Sequence, residues 1–128
     1  MQSKTVIHAG KCFLLLLLAA LVGCSHSTEQ LAEVVGPNGI KAVWIKRDYG
    51  ATTPFVYSLY VVASGSSYAL KEGDELLRTD DIEGMATRWI EESALSISCV
   101  RGNIYKFENV FYINGNVGRI ELQTVCGE

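Results

Sequence analysis

The chain reads as mainly β, an antiparallel meander of about six or seven strands that forms a curled sheet or a small sandwich. Three observations predict this. Residues 55–64 are dense in aromatic and β-branched side chains, which fit a pleated, half-buried surface. Residues 94–100 alternate strictly, with Leu95, Ile97 and Cys99 on one face and Ser96 and Ser98 on the other. Two turn signals, Gly36-Pro37-Asn38-Gly39 and Asn114-Gly115, sit between apolar runs.

Taken in order, residues 25–30 are small and polar and read as a tether, so the folded domain is placed at 31–128. Residues 31–35 fit a strand, or a short helix capped by Ser27 with Gln30; the following Gly-Pro-Asn-Gly turn favours the strand. The second strand, Ile40–Asp48, carries Val43 and Ile45 on one face and Trp44 on the other, so both faces are expected to be covered. The strand at 55–64 sets Phe55, Tyr57, Leu59 and Val61 against Val56, Tyr60 and Val62 and is expected to be central. Residues 70–84 mix charges with the apolar anchors Leu76, Leu77 and Ile82, which supports one short strand at 75–79. Strands at 85–90, 94–100, 104–113 and 117–126 complete the meander, the last two joined by Asn114-Gly115.

Upstream of the domain, Lys4 and Lys11 precede eleven uncharged residues from Cys12 to Val22, a secretory n-region and h-region too short to span a bilayer. The run ends in Leu21-Val22-Gly23-Cys24, which resembles the lipobox of bacterial lipoprotein precursors. That resemblance implies cleavage after residue 23, lipidation of Cys24 with palmitate-type acyl chains, and residence on a membrane of the bacterial cell envelope. Two or three acyl chains anchor firmly, since each buried methylene contributes about 0.8 kcal/mol. Ser25, rather than aspartate, at the second mature position resembles outer-membrane sorting.

Cleavage leaves nine Lys and Arg against fourteen Asp and Glu, so a net charge of −3 becomes 9 − 14 = −5. An acidic domain is a poor nucleic-acid binder. Removal of Cys12 and lipidation of Cys24 leave Cys99 and Cys126 as a candidate disulfide, favoured in an oxidising compartment and worth roughly 3–4 kcal/mol in the chain-entropy model. A meander sets residues 104–113 between the two cysteine strands, two spacings or roughly 9.5 Å apart. The bridge then closes only if Cys126 runs past the middle strand or the sheet curls.

Catalytic signals are scarce. His8 leaves with the leader and His26 falls in the tether, so the domain lacks the imidazole of a Ser-His-Asp, Cys-His or His-zinc site, and no metal or cofactor is expected. The acids Asp80, Asp81 and Glu83, and Glu91 with Glu92, are candidates for paired-carboxylate chemistry, but both groups fall in expected turns. Ser66 or Ser67 near Lys71 lacks the helix and the oxyanion loop that a Ser-Lys nucleophile needs. The aromatic set Tyr57, Tyr60, Tyr68, Tyr105, Phe107, Phe111 and Tyr112 is large for such a domain. Rings that the core leaves uncovered would mark a partner surface.

The segment Arg47-Asp48-Tyr49-Gly50-Ala51-Thr52-Thr53-Pro54-Phe55, with Pro37-Asn38-Gly39, residues 78–89 and Ile104-Tyr105-Lys106-Phe107, resembles a group of small uncharacterised bacterial lipoproteins with a Gly-Ala-Thr-Thr loop between two strands. In that group the position of Tyr49 is often cysteine, so disulfides of the group do not transfer to this chain. The loop Gly50, Ala51, Thr52, Thr53 is either a binding contact or an ordinary hairpin connection, and the second reading is preferred. Ser64-Gly65-Ser66-Ser67-Tyr68 resembles, over a short compressed stretch, a motif of lipoprotein inhibitors of c-type lysozyme. The expected function is that of a noncatalytic envelope binding module, an inhibitor or immunity protein acting on an envelope protein partner. The alternative is a structural subunit of an envelope assembly, and an enzyme is the weakest reading.

Overall fold

The computed structural model describes residues 26–65 and 70–123. Cys24, Cys126, Ser66, Ser67 and Tyr68 lie outside them. Among the described residues the chain is all β, and no helix is long and apolar enough to cross a membrane. The nine strands are β1 Ser27–Val35, β2 Ile40–Asp48, β3 Val56–Ala63, β4 Leu77–Thr79, β5 Ala86–Glu91, β6 Ala94–Ser98, β7 Ile104–Phe107, β8 Val110–Ile113 and β9 Asn116–Gln123. They form a five-stranded sheet, β1-β2-β3-β4-β7, and a four-stranded sheet, β5-β6-β9-β8. The mainly β fold class is borne out, and β3 is indeed central in its sheet.

The first hairpin turns where the sequence allows left-handed backbone, with Asn38 at φ 59° and Gly39 at φ 69°. β1 begins at Ser27, earlier than the apolar pattern indicates, because Asp48, Arg47 and Lys46 of β2 offer it partners from Ser27 onward. Its pairing is bulged at Leu31, between Gln30 and Ala32.

Two tryptophans link the sheets. The Trp44 indole donates to Thr87 Oγ1 of β5 at 3.0 Å, and the Trp89 indole donates to the Val34 carbonyl of β1 at 3.0 Å. Trp89 lies flat on Gly36, where a Cβ would meet ring atoms at 2.5 to 2.9 Å. Between the sheets lie Ile40, Ala42, Trp44, Leu59 and Leu77 on one side and Leu95, Ile97, Phe111 and Ile120 on the other. Burial of each large side chain contributes about 1.5–3 kcal/mol. A second cluster, Val43, Ile45, Tyr60 and Val62, packs on the opposite face of the first sheet against Leu70. Both faces of β2 are therefore covered, as its composition indicates.

The topology departs from a simple meander, since the chain changes sheet between β4 and β5, between β6 and β7 and again between β7 and β8. Residues 104–113 are two strands in two sheets: β7 joins β4, and β8 joins β9. The break falls at Glu108 and Asn109, polar residues of low strand propensity at the centre of the run. The Glu108 amide donates to the Leu76 carbonyl of the first sheet, and the Asn109 carbonyl accepts from the Ile120 amide of the second. With β7 in the other sheet and β8 on the far side of β9, β6 pairs β9 directly and in parallel, Leu95 beside Ile120 and Ile97 beside Leu122. Ser96, expected to face water, is 1% exposed. It lies between its register partners Arg88 and Glu121.

Candidate functional site

Cys99 follows β6 with φ 59° and 8% exposure, and it is disulfide-bonded. Its expected partner, Cys126, lies outside the described residues. The obstacle of an intervening strand is gone, however, since Ser98 of β6 is in register with Gln123 of β9. One strand spacing, about 4.8 Å, separates such neighbours.

The loop of Gly50, Ala51, Thr52 and Thr53 is a connection held by its own chain. The Gly50 amide donates to Asp48 Oδ1 at 2.9 Å, the Thr53 amide donates to the Gly50 carbonyl at 3.1 Å, and Gly50 takes φ 113°. Asp48 satisfies the Gly50 amide. His26 rests edge-to-face on Tyr49, ring centroids 5.6 Å apart.

Three of the acidic candidates, Asp80, Asp81 and Glu91, hold turns and edges. Asp80 accepts from the Asn103 amide at 2.8 Å, from Asn103 Nδ2 at 2.7 Å and from the Tyr105 hydroxyl at 2.9 Å. The Asn103 and Tyr105 bonds hold its carboxyl below the usual range, and the same contact raises Tyr105. Asp81 accepts from the Glu83 amide at 2.8 Å, and Glu91 pairs with Arg119 at 3.1 Å. Among the described residues no group of three or more His, Cys, Asp or Glu is placed to hold a metal ion.

A polar cluster on the outer face of the first sheet was not anticipated. Arg47, 7% exposed, donates to Ser58 Oγ at 2.9 Å and to the Tyr60 hydroxyl at 2.6 Å, and Tyr60 donates to the Lys71 carbonyl at 3.0 Å. Glu75 is fully buried; it accepts from the Gly73 amide at 2.6 Å and from the Arg78 guanidinium. Burial opposes ionisation of Glu75, but the backbone amides and Arg78 outweigh it and hold the carboxyl below the usual glutamate range. Burial likewise raises Tyr60, with Arg47 opposing. The signal in the sequence was Arg47 on the same face of β2 as Val43 and Ile45, with Ser58 and Tyr60 two apart on one face of β3.

This cluster pins residues 70–76 over the sheet and so shapes a concavity there. A groove of about 500 Å³ runs between the end of β3 and β8, with Leu76 and Asp74 between them. The aromatic rings divide. Tyr60 and Phe111 are buried, whereas Tyr105 (56% exposed), Phe107 (39%) and Tyr112 (77%) are not. Val117, the register partner of Tyr112, is 57% exposed and extends the patch. No known protein family, no curated protein and no solved structure matches the chain.

Proposed function

We propose that this chain is a lipid-anchored protein of the bacterial envelope, of the outer membrane rather than the inner, that acts as a noncatalytic binding module. The single observation that carries the binding reading is the exposure of three rings, Tyr105 and Phe107 on β7 and Tyr112 on β8, on the edge strands of the two sheets. Exposed tyrosine and phenylalanine on free strand edges are favoured anchors for a protein partner. The anchor rests on the lipobox resemblance, and the acidic mature chain suits a basic partner such as a lytic enzyme to be inhibited. The accessory-subunit reading draws on the same edges, which a neighbouring subunit would cover.

The test is affinity capture from envelope extract with the domain from residue 24 carrying Cys24→Ala, compared with a Tyr105→Ala, Tyr112→Ala variant. A stoichiometric partner retained by the first and lost by the second supports the reading; a partner held equally by both refutes the surface. Inhibition of that partner's activity selects the inhibitor, and co-assembly selects the accessory subunit. Glu91→Gln should leave capture and phenotype unchanged, whereas loss of an activity in it would revive catalysis. In cells, exported Cys24→Ala protein should leave the membrane fraction, and its continued tight association would defeat the anchor.

A further inference from the structure

β4 is three residues long beside an eight-residue β3, and among the described residues no strand continues β4 along the rest of β3. Its last links are at Leu76, whose amide donates to the Leu59 carbonyl at 2.8 Å and whose carbonyl accepts from the Glu108 amide at 2.7 Å. Before Leu76 the chain leaves the sheet, because Glu75 is drawn to Arg78 and Gly73 takes φ 103°. β3 and the β7-β8 segment nevertheless run on past that point, and the groove separates them.

The backbone on both walls can be read from the register. Backbone groups of alternate residues point to the same side of a strand. Leu59 turns its carbonyl toward β4, so Val61 turns its amide and carbonyl into the groove. Across it, Asn109 faces β9, as do Phe111 and Ile113, so Val110 and Tyr112 present their backbone groups to the groove. These groups have no hydrogen-bond partner among the described residues. The walls are apolar, and Asp74, which makes no ion pair among the described residues, lies at the edge. Glu108 nearby is already paired with Lys106 at 3.0 Å.

We propose that this groove receives an extended, basic segment of the partner protein as an added β-strand, collinear with β4 and antiparallel to β3. The inference rests on the binding-module reading and specifies the form of its partner. Backbone donors and acceptors of Val61 on one wall and of Val110 and Tyr112 on the other select a strand over a helix or a compact ligand. The walls accommodate about four residues, or some 13 Å of extended chain. Alternate apolar side chains meet Val61 and Val110, and a lysine or arginine reaches Asp74.

The probe is the acetylated, amidated hexapeptide Thr-Val-Lys-Val-Thr-Val, titrated into the domain from residue 24 with Cys24→Ala and followed by NMR hydrogen exchange. Saturating peptide should slow exchange at Val61, Val110 and Tyr112 by about tenfold or more. Glutamate for lysine should weaken binding about fivefold, and so should Asp74→Asn with the original peptide. Alternate N-methylation of the peptide should abolish binding without any change to the protein. Tyr112→Ala, which removes the ring and keeps the backbone, should still bind. No binding at millimolar peptide, protection confined to the β1 or β5 edge, or equal binding of the N-methylated peptide overturns the proposal. So does protection that rises with protein concentration alone, which would make a second copy the occupant. Capture of a partner through the rings can succeed while this test fails, so the two readings fall separately.

Discussion

Glu75→Gln probes the cluster on which the groove depends. The carboxylate is fully buried and accepts from the Gly73 amide and from Arg78. Glutamine keeps one acceptor and places an NH₂ against a second donor, so one charge-assisted hydrogen bond is lost and the other weakened. Such bonds contribute about 1.5–3 kcal/mol each, and Arg78 recovers part of the loss because its side chain is 29% exposed. The net cost is about 2–4 kcal/mol, or a fall in Tm of roughly 10–20 °C for a domain of this size at neutral pH. Calorimetry of the two proteins across pH supplies a second readout. The folded-state pKa of Glu75 is depressed, so its stabilisation is present above the unfolded-state pKa, about 4.3, and is lost as pH falls through the lower folded value. Wild type and variant should therefore converge in acid. A Tm drop under about 3 °C at neutral pH, or a gap that persists undiminished at about pH 2, would show that the carboxylate does not hold the loop.

Two further outcomes follow from the packing. Gly118→Ala drives a methyl into the Phe111 ring, which is 5% exposed, and should cost about 1–3 kcal/mol in denaturant unfolding. Adding Phe111→Leu should recover part of that loss, and strict additivity would refute the clash. Cys99 should resist a thiol-reactive probe in folded, exported protein without reductant and label after reduction and unfolding.

Strand positions were legible wherever one face is buried and turn chemistry bounds the run. β2 and the start of β6 fall where the alternation puts them, and Asn114-Gly115 closes β8 on β9 with φ 52° and 79°. What could not be read is which sheet a strand joins, since a period of two fixes a face and not a neighbour. Ile104-Tyr105-Lys106-Phe107 and Val110-Phe111-Tyr112-Ile113 look like one strand because each is sound alone; only the long-range bonds at Glu108 and Asn109 divide them. Residues 70–76 were opaque for a related reason. Leu70 and Leu76 are too few to predict a packed segment, and what holds it is Arg47, Tyr60, Glu75 and Arg78, brought together from three strands and a loop. Of the candidate site, the aromatic surplus was visible beforehand and its sorting into core and surface was not.

The register also orients the groove relative to the proposed anchor. Ser27, three residues after Cys24, pairs with Asp48, and Arg47 pairs with Val56, so the lipid-proximal end of the first sheet holds the Gly50–Thr53 loop. Ile40 pairs with Ala63 at the other end, where the groove lies. The eight residues of β3 separate the ends by about 25 Å. Three residues of extended chain span at most about 11 Å, so an anchor at Cys24 would keep the Gly50–Thr53 loop near the headgroups and present the groove away from them. On liposomes carrying the lipidated protein, a headgroup-bound quencher should dim a dye at Thr52→Cys strongly and one at Asn114→Cys weakly. Equal quenching would mean that the domain lies on its side. In that case the bilayer would compete with the partner strand for the groove, and a lengthened tether would raise peptide binding; the end-on arrangement predicts that lengthening leaves it unchanged.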